Sequence, residues 1–226
     1  MKFIKDNPIQ QKFKMSNEIT ILRPFGPTVG KVSMPQNLVE TLNKYVDKIV
    51  ANEEKSKELN YGYQLAGNVQ QEFKLEQEFV KTSGWGQFLA NNASVWINKS
   101  TKPQKKITKF NIISTWIVRQ FENDYNPLHT HNGHISGVGY LKVPSSFGEY
   151  SQKDKRVNKN GSLQLVHGSK SFICESTFNV TPKVGDFYFF PNYMMHTVYP
   201  FINTKEERRS ISFNAFIDEN IYNVYT

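Results

Sequence analysis

The sequence predicts a mainly β protein, a double-stranded β-helix of jelly-roll type buttressed by N-terminal helices. Two observations carry that expectation. From residue 107 onward, short runs rich in β-branched and aromatic residues follow one another, each bounded by Gly, Pro, Asn or Ser clusters and none with a helical period. Before residue 107 the apolar residues recur at helical spacing instead. At 226 residues, with 38% hydrophobic and 14% aromatic content, the chain can close one sizeable core but is short for two. One domain over 1–226 is therefore expected: strands and a helical layer in 1–106, the β-helix core in 107–217, and a tail in 218–226.

In chain order, residues 18–34 alternate apolar and polar around Gly26, Pro27 and Gly30, which predicts a short strand pair. Leu38, Leu42, Tyr45, Val46 and Ile49 fall on one helical face, so 36–56 is expected as an amphipathic helix ending in a charged, frayed tail. Residues 61–80 are irregular and predict no more than mixed loop and helix. Ser83 can cap a second helix over 84–98, with Trp85, Phe88, Leu89, Val95 and Trp96 on one side as core. After a basic loop at 101–106, strands are expected at 107–122, 135–143, 162–166, 171–178, 186–190, 195–201 and 208–217.

Composition narrows the function classes. The longest apolar runs, such as Phe187-Tyr188-Phe189-Phe190, are far short of the roughly 20 residues a bilayer requires, and the N-terminus has no apolar signal region. A single cysteine, Cys174, excludes an internal disulfide and any cysteine-rich zinc module. A soluble, cytoplasmic protein with no membrane partner is expected. The balance of 28 Lys+Arg against 20 Asp+Glu, a net charge of +8, permits an acidic or nucleic-acid partner. The cations are dispersed, with small groups at Lys102–Lys106 and Lys153–Arg156, and no aromatic-rich RNA motif accompanies them. An ordinary basic surface is the better reading.

Three of the five histidines stand in Asn126-Pro-Leu-His129-Thr-His131-Asn-Gly-His134, between two expected strands. In extended chain, residues two apart point the same way, so His129 and His131 can offer both imidazoles to one metal ion. His196, opening a later strand, is the natural third partner. His134 reads as a turn, a substrate-facing or a supporting residue, and as the alternative second ligand. On the last strand, Arg208, Ser210, Ser212 and Asn214 share one face while Ile211, Phe213 and Ala215 share the other. If the polar face points inward, Arg208 and Ser210 form a carboxylate clamp, since a guanidinium fork holds a carboxylate in bidentate fashion. Arg209, on the opposite face, is expected to be solvent-exposed.

The ordered series His129-Thr-His131, Ser136-Gly137-Val-Gly-Tyr140-Leu141-Lys-Val-Pro144, Phe189-Phe190-Pro191 with His196-Thr-Val198-Tyr-Pro200, and Arg208-Arg-Ser210-Ile-Ser-Phe213-Asn214 resembles the Fe(II)- and 2-oxoglutarate-dependent dioxygenases. More narrowly it resembles the 2OG-Fe(II) oxygenases of marine bacteria and phages. The resemblance covers residues 107–217. It implies an oxidoreductase that decarboxylates 2-oxoglutarate to succinate with Fe(II) and O2 and hydroxylates a small-molecule or protein substrate, proline or another side chain among them. It assigns the metal to His129, His131 and His196, and 2-oxoglutarate to Arg208, Ser210 and Tyr140. Ordinary barrel packing is an equal reading for Tyr140, as it is for Trp116. His131 departs from the family's usual Asp or Glu, and the upstream carboxylates Glu122 and Asp124 do not fit the family's order. Alternatives are a cupin-like metal-binding protein without 2-oxoglutarate chemistry, a binding module that has lost catalysis, and a nucleic-acid demethylase. A homodimer is compatible with the sequence, and a phage-encoded protein would work in the host cytoplasm.

Overall fold

The computed structural model describes residues 26–150, 152, 154 and 156–223. Two antiparallel sheets face each other. β1 (Gly30–Ser33), β2 (Gln71–Lys74), β3 (Phe110–Gln120), β5 (Ile135–Lys142), β8 (Asp186–Pro191) and β10 (Arg208–Ile217) form the larger, in the order β1-β8-β5-β10-β3-β2. The smaller has the order β4-β9-β6-β7, from β4 (Asn126–His129), β6 (Leu163–Val166), β7 (Thr177–Val180) and β9 (Met195–Val198). Helices α1 (Gln36–Val50) and α4 (Trp85–Ser100) cover the outer face of the large sheet, with short α2 (Glu53–Glu58) and α3 (Gln77–Thr82) between them and α5 (Glu219–Tyr222) at the end. Among the described residues no helix is long and apolar enough to cross a membrane.

Burial on both faces explains why the strands of the large sheet are so apolar. In β8, Phe187 and Phe189 pack with Ile211, Phe213 and Ala215 against Leu38, Leu42, Trp85 and Leu89 of the helices. Their neighbours Tyr188 and Phe190 join Tyr140, Leu163, Leu165 and Met194 between the sheets. β5 admits this aromatic layer because it carries glycine. A Cβ at Gly139 would lie 2.4 Å from Phe187 Cδ2 and 2.9 Å from Met34 Cε.

Several elements differ from expectation, each for a tertiary or capping reason. Of the strand pair over 18–34, residues 18–25 lie outside the described residues; in the described part, β1 pairs with distant β8. The 36–56 helix stops at Val50, and Asn52 accepts a hydrogen bond from the Lys55 amide to start α2 afresh. Ser83 Oγ does accept from the Trp85 amide, although the residue at the helix junction is left-handed Gly84; Val95 is exposed rather than core. The 61–80 stretch contains β2, paired with β3. The 171–178 strand begins only at Thr177, because Ser171 and Cys174 exchange backbone hydrogen bonds that close a turn and leave Phe172 and Ile173 at its exposed tip.

Arg209 corrects another expectation. It does point away from Arg208, but it is buried, 1% exposed, because α1 covers that face. Its guanidinium contacts Glu207 (2.6 Å), Asp47 (2.8 Å) and Asn43 Oδ1 (3.0 Å), fastening β10 to α1.

Candidate active site

Cross-strand pairing builds the histidine cluster. β4 and β9 are antiparallel neighbours with His129 directly opposite His196, and the rings of such a pair meet on one face. Their centroids are 4.2 Å apart. His131 lies two residues beyond His129, just past the strand, where its amide donates to the Asn192 carbonyl and the Asn192 side chain donates back to the His131 carbonyl. The three residues present nitrogen atoms all within 4.8 Å of one another, and His131 Nε2 is 3.1 Å from His196 Nε2.

Hydrogen bonding fixes which nitrogens face inward. His129 Nδ1 donates to the Pro127 carbonyl (2.7 Å) and His196 Nδ1 to the Met194 carbonyl (2.9 Å), so on both rings Nε2 is left with its lone pair. Burial, reinforced by the neighbouring His196 and His129, holds the His131 imidazole down at about 3. Burial, reinforced by the neighbouring His129, holds His196 down at about 4 despite its bond to Met194. His129 is lowered by burial too. All three are therefore neutral near pH 7, the form that ligates metal. Among the described residues the cluster is all-imidazole, a donor set that suits Fe(II) and also Ni, Zn or Cu.

On the inner face of β10, Arg208 is 1% exposed and, among the described residues, has no carboxylate partner and no hydrogen-bond partner for its Nε. Nη1 donates to Gln120 Oε1, and the guanidinium lies 5.1 Å from the centroid of the Tyr140 ring. Burial lowers its pKa, with Tyr140 acting in the opposite direction. Ser210 stands opposite Tyr140 in the β10–β5 register, and the buried Tyr140 hydroxyl is likewise without a hydrogen-bond partner among the described residues. A buried guanidinium without a counter-ion is costly, and an anion from outside the chain removes that cost. Arg208, Ser210, Gln120 and the three histidines line one narrow cavity of about 40 Å³.

A second cavity of about 380 Å³ opens on the other side of the cluster. It shares Trp116, Asn126, His129 and His131 with the first and adds Tyr61 and Glu72 among its walls. Trp116 thus sits between the two, 5.5 Å from the His131 ring.

Other residues singled out from the sequence lie elsewhere. His134 is outside the cluster: its Nδ1 accepts from the Ile217 amide (3.1 Å) and its ring stacks on Tyr222 at 3.9 Å. Asp124 accepts from the Phe121 and Gln70 amides and Glu122 from the Asn203 amide, so both secure chain turns. The sequence reading missed Gln120 and Glu72. Gln120 shares the parity of Trp116 and Val118 on β3, a signal that was available; Glu72 lies on a strand that was not expected.

Residues 114–214 match the model of a family described as "Putative 2OG-Fe(II) oxygenase". No curated protein sequence matches the chain. Among solved structures, a prolyl-4-hydroxylase from Pseudomonas putida is similar at TM-score 0.53 and 15% identity, over 82% of this chain and 91% of that one. A prolyl hydroxylase from Trichoplax adhaerens, in complex with a hypoxia inducible factor oxygen degradation domain peptide fragment, is similar at 0.53 and 11%, over 88% and 87%. HygX from Streptomyces hygroscopicus, with nickel and 2-oxoglutarate bound, is similar at 0.52 and 11%, over 82% and 80%. At these identities the likeness is one of fold.

Proposed function

We propose that this chain, which belongs through residues 114–214 to the Fe(II)- and 2-oxoglutarate-dependent oxygenase superfamily, is a hydroxylase acting on a side chain of a peptide or protein, proline among the candidates. Its cofactor is Fe(II) and its co-substrates are 2-oxoglutarate and O2. The observation that carries the residue roles is the buried Arg208, without a carboxylate partner among the described residues and with its Nε unbonded, in the same cavity as three neutral histidines. The solved prolyl hydroxylases of the same fold support the choice of reaction.

In this reading His129, His131 and His196 hold the metal, His129 and His196 through Nε2. The bound Fe(II)–2-oxoglutarate pair supplies the oxidising chemistry: O2 and 2-oxoglutarate are consumed, CO2 and succinate leave, and one oxygen atom enters a substrate C–H bond. Arg208 binds the distal carboxylate, with the Ser210 hydroxyl as a second donor and its free Nε turned to use. Gln120 holds the guanidinium from the other side. Trp116, Val118, Leu163 and Phe190 form apolar walls that keep bulk water from the reacting carbon. Three neutral ligands leave the centre one unit more positive than a site with a carboxylate, which favours the dianionic co-substrate.

Anaerobic titration with Fe(II) and 2-oxoglutarate tests these roles through the visible charge-transfer band of the chelate. The wild type is expected to develop the band. His196→Ala is expected to lose metal binding, while Arg208→Ala keeps the metal and loses about 2–5 kcal/mol of 2-oxoglutarate affinity. Unchanged 2-oxoglutarate affinity in Arg208→Ala would remove that residue from the clamp.

A further inference from the structure

Glu72 is 2% exposed, yet neither of its carboxylate oxygens hydrogen-bonds to any described residue, and Oε1 is fully enclosed without a partner. Its β2 position stands opposite Val118 of β3, so it faces the barrel interior, and residues 62–67 fold over it: a Cβ on Gly67 would lie 3.2 Å from Oε1. It lines the cavity of about 380 Å³ beside His129 and His131. Among the described residues that line this cavity it is the only Asp, Glu, Lys or Arg. The nearby Asp124 is spoken for by two backbone amides, and Lys74 lies instead over the Tyr61 ring at 5.9 Å. Tyr61 and Trp116 stand 6.2 Å apart as aromatic walls of the same space.

A buried carboxylate left without a donor is destabilising unless a ligand completes it. Aromatic faces beside a carboxylate select a cation over a neutral or anionic group. Divalent metal on three neutral imidazoles, with dianionic 2-oxoglutarate bound, has no net charge, so Glu72 sets the electrostatic preference of the cavity. We propose that Glu72 is the specificity-determining residue of this enzyme and receives an ammonium or guanidinium group of the substrate, such as a lysine or arginine side chain, next to the reacting carbon. The inference rests on the hydroxylase reading above for its account of what enters the cavity.

The test uses full-length protein loaded anaerobically with Fe(II) and 2-oxoglutarate. It is titrated calorimetrically with N-acetylated, C-amidated pentapeptides that differ only in a central Lys, Arg, Gln, Leu or Glu. The Lys and Arg peptides are expected to bind at least about tenfold more tightly than the others, and Glu72→Gln to bring that ratio within about twofold while leaving metal and 2-oxoglutarate affinity unchanged. Equal binding across the wild-type panel, no binding at all, or a preference that survives in Glu72→Gln overturns the proposal. Thermal melting of apo Glu72→Gln and Glu72→Leu adds a readout independent of binding. A carboxylate kept for substrate leaves both variants melting no lower than wild type, whereas a large drop in both assigns Glu72 a structural role and overturns it. Glu72-dependent binding of the cationic peptides without hydroxylated product in air would leave the inference standing and sink the peptide-hydroxylase reading.

Discussion

At the scale of single residues, the site is a set of polar groups that the fold buries without finishing. Arg208 Nε, the Tyr140 hydroxyl and Glu72 Oε1 are the buried side-chain atoms without partners among the described residues, and all belong to the barrel interior. Glu72 gives this a pH signature. Burial, with Asp124 adding to it, raises its carboxyl from an ordinary 4.5 to about 7. The folded protein then binds more protons than the unfolded chain between those values, so stability is full below pH 4.5 and falls as pH rises through 7. Chemical denaturation of apo protein from pH 5 to 8 is expected to show Glu72→Gln gaining on wild type by up to about 3 kcal/mol. A constant gap would show that Glu72 is solvated. Period-two alternation made the two faces of 208–214 legible in the sequence. Arg209 was misread because local spacing says which face a residue is on, not whether a helix covers that face.

At the scale of elements, pairing does what spacing alone could not. His129 meets His196 because β4 runs antiparallel to β9, and that register is absent from a sequence read one segment at a time. β2 was invisible for a related reason: Gln71–Lys74 is only four residues long and mostly polar, and it becomes a strand by pairing with β3. Glu72 was lost with it. The glycine-bearing strand β5 was easier to find, and its packing gives a direct test. Gly139→Val places side-chain atoms against Phe187 and Met34, and is expected to cost about 1–3 kcal/mol, seen as a lower denaturant midpoint with unchanged slope. An unchanged midpoint would mean the aromatic layer yields freely.

At the scale of the whole molecule, binding and folding are linked through the barrel interior. Ligands that bind only the folded state stabilise it, so 2-oxoglutarate at about 100 times its Kd, added to metal-loaded protein, is expected to contribute about 2.7 kcal/mol. Melting curves check it: Arg208→Ala keeps the metal's increment and loses that of 2-oxoglutarate. The division into an N-terminal helical layer and a C-terminal β-structure was legible from the change of hydrophobic period near residue 107; the reach of the N-terminal segment into the large sheet was not. β1 and β2 come from before residue 107, and they form the two opposite edges of that sheet. A fragment trimmed to the matched 114–214 would therefore leave β8 and β3 with bare backbone donors and acceptors, and would strip the helices from Phe187, Phe189 and Phe213. Such a fragment carries every proposed ligand and the arginine clamp, yet its natural fate in water is strand-to-strand aggregation rather than catalysis.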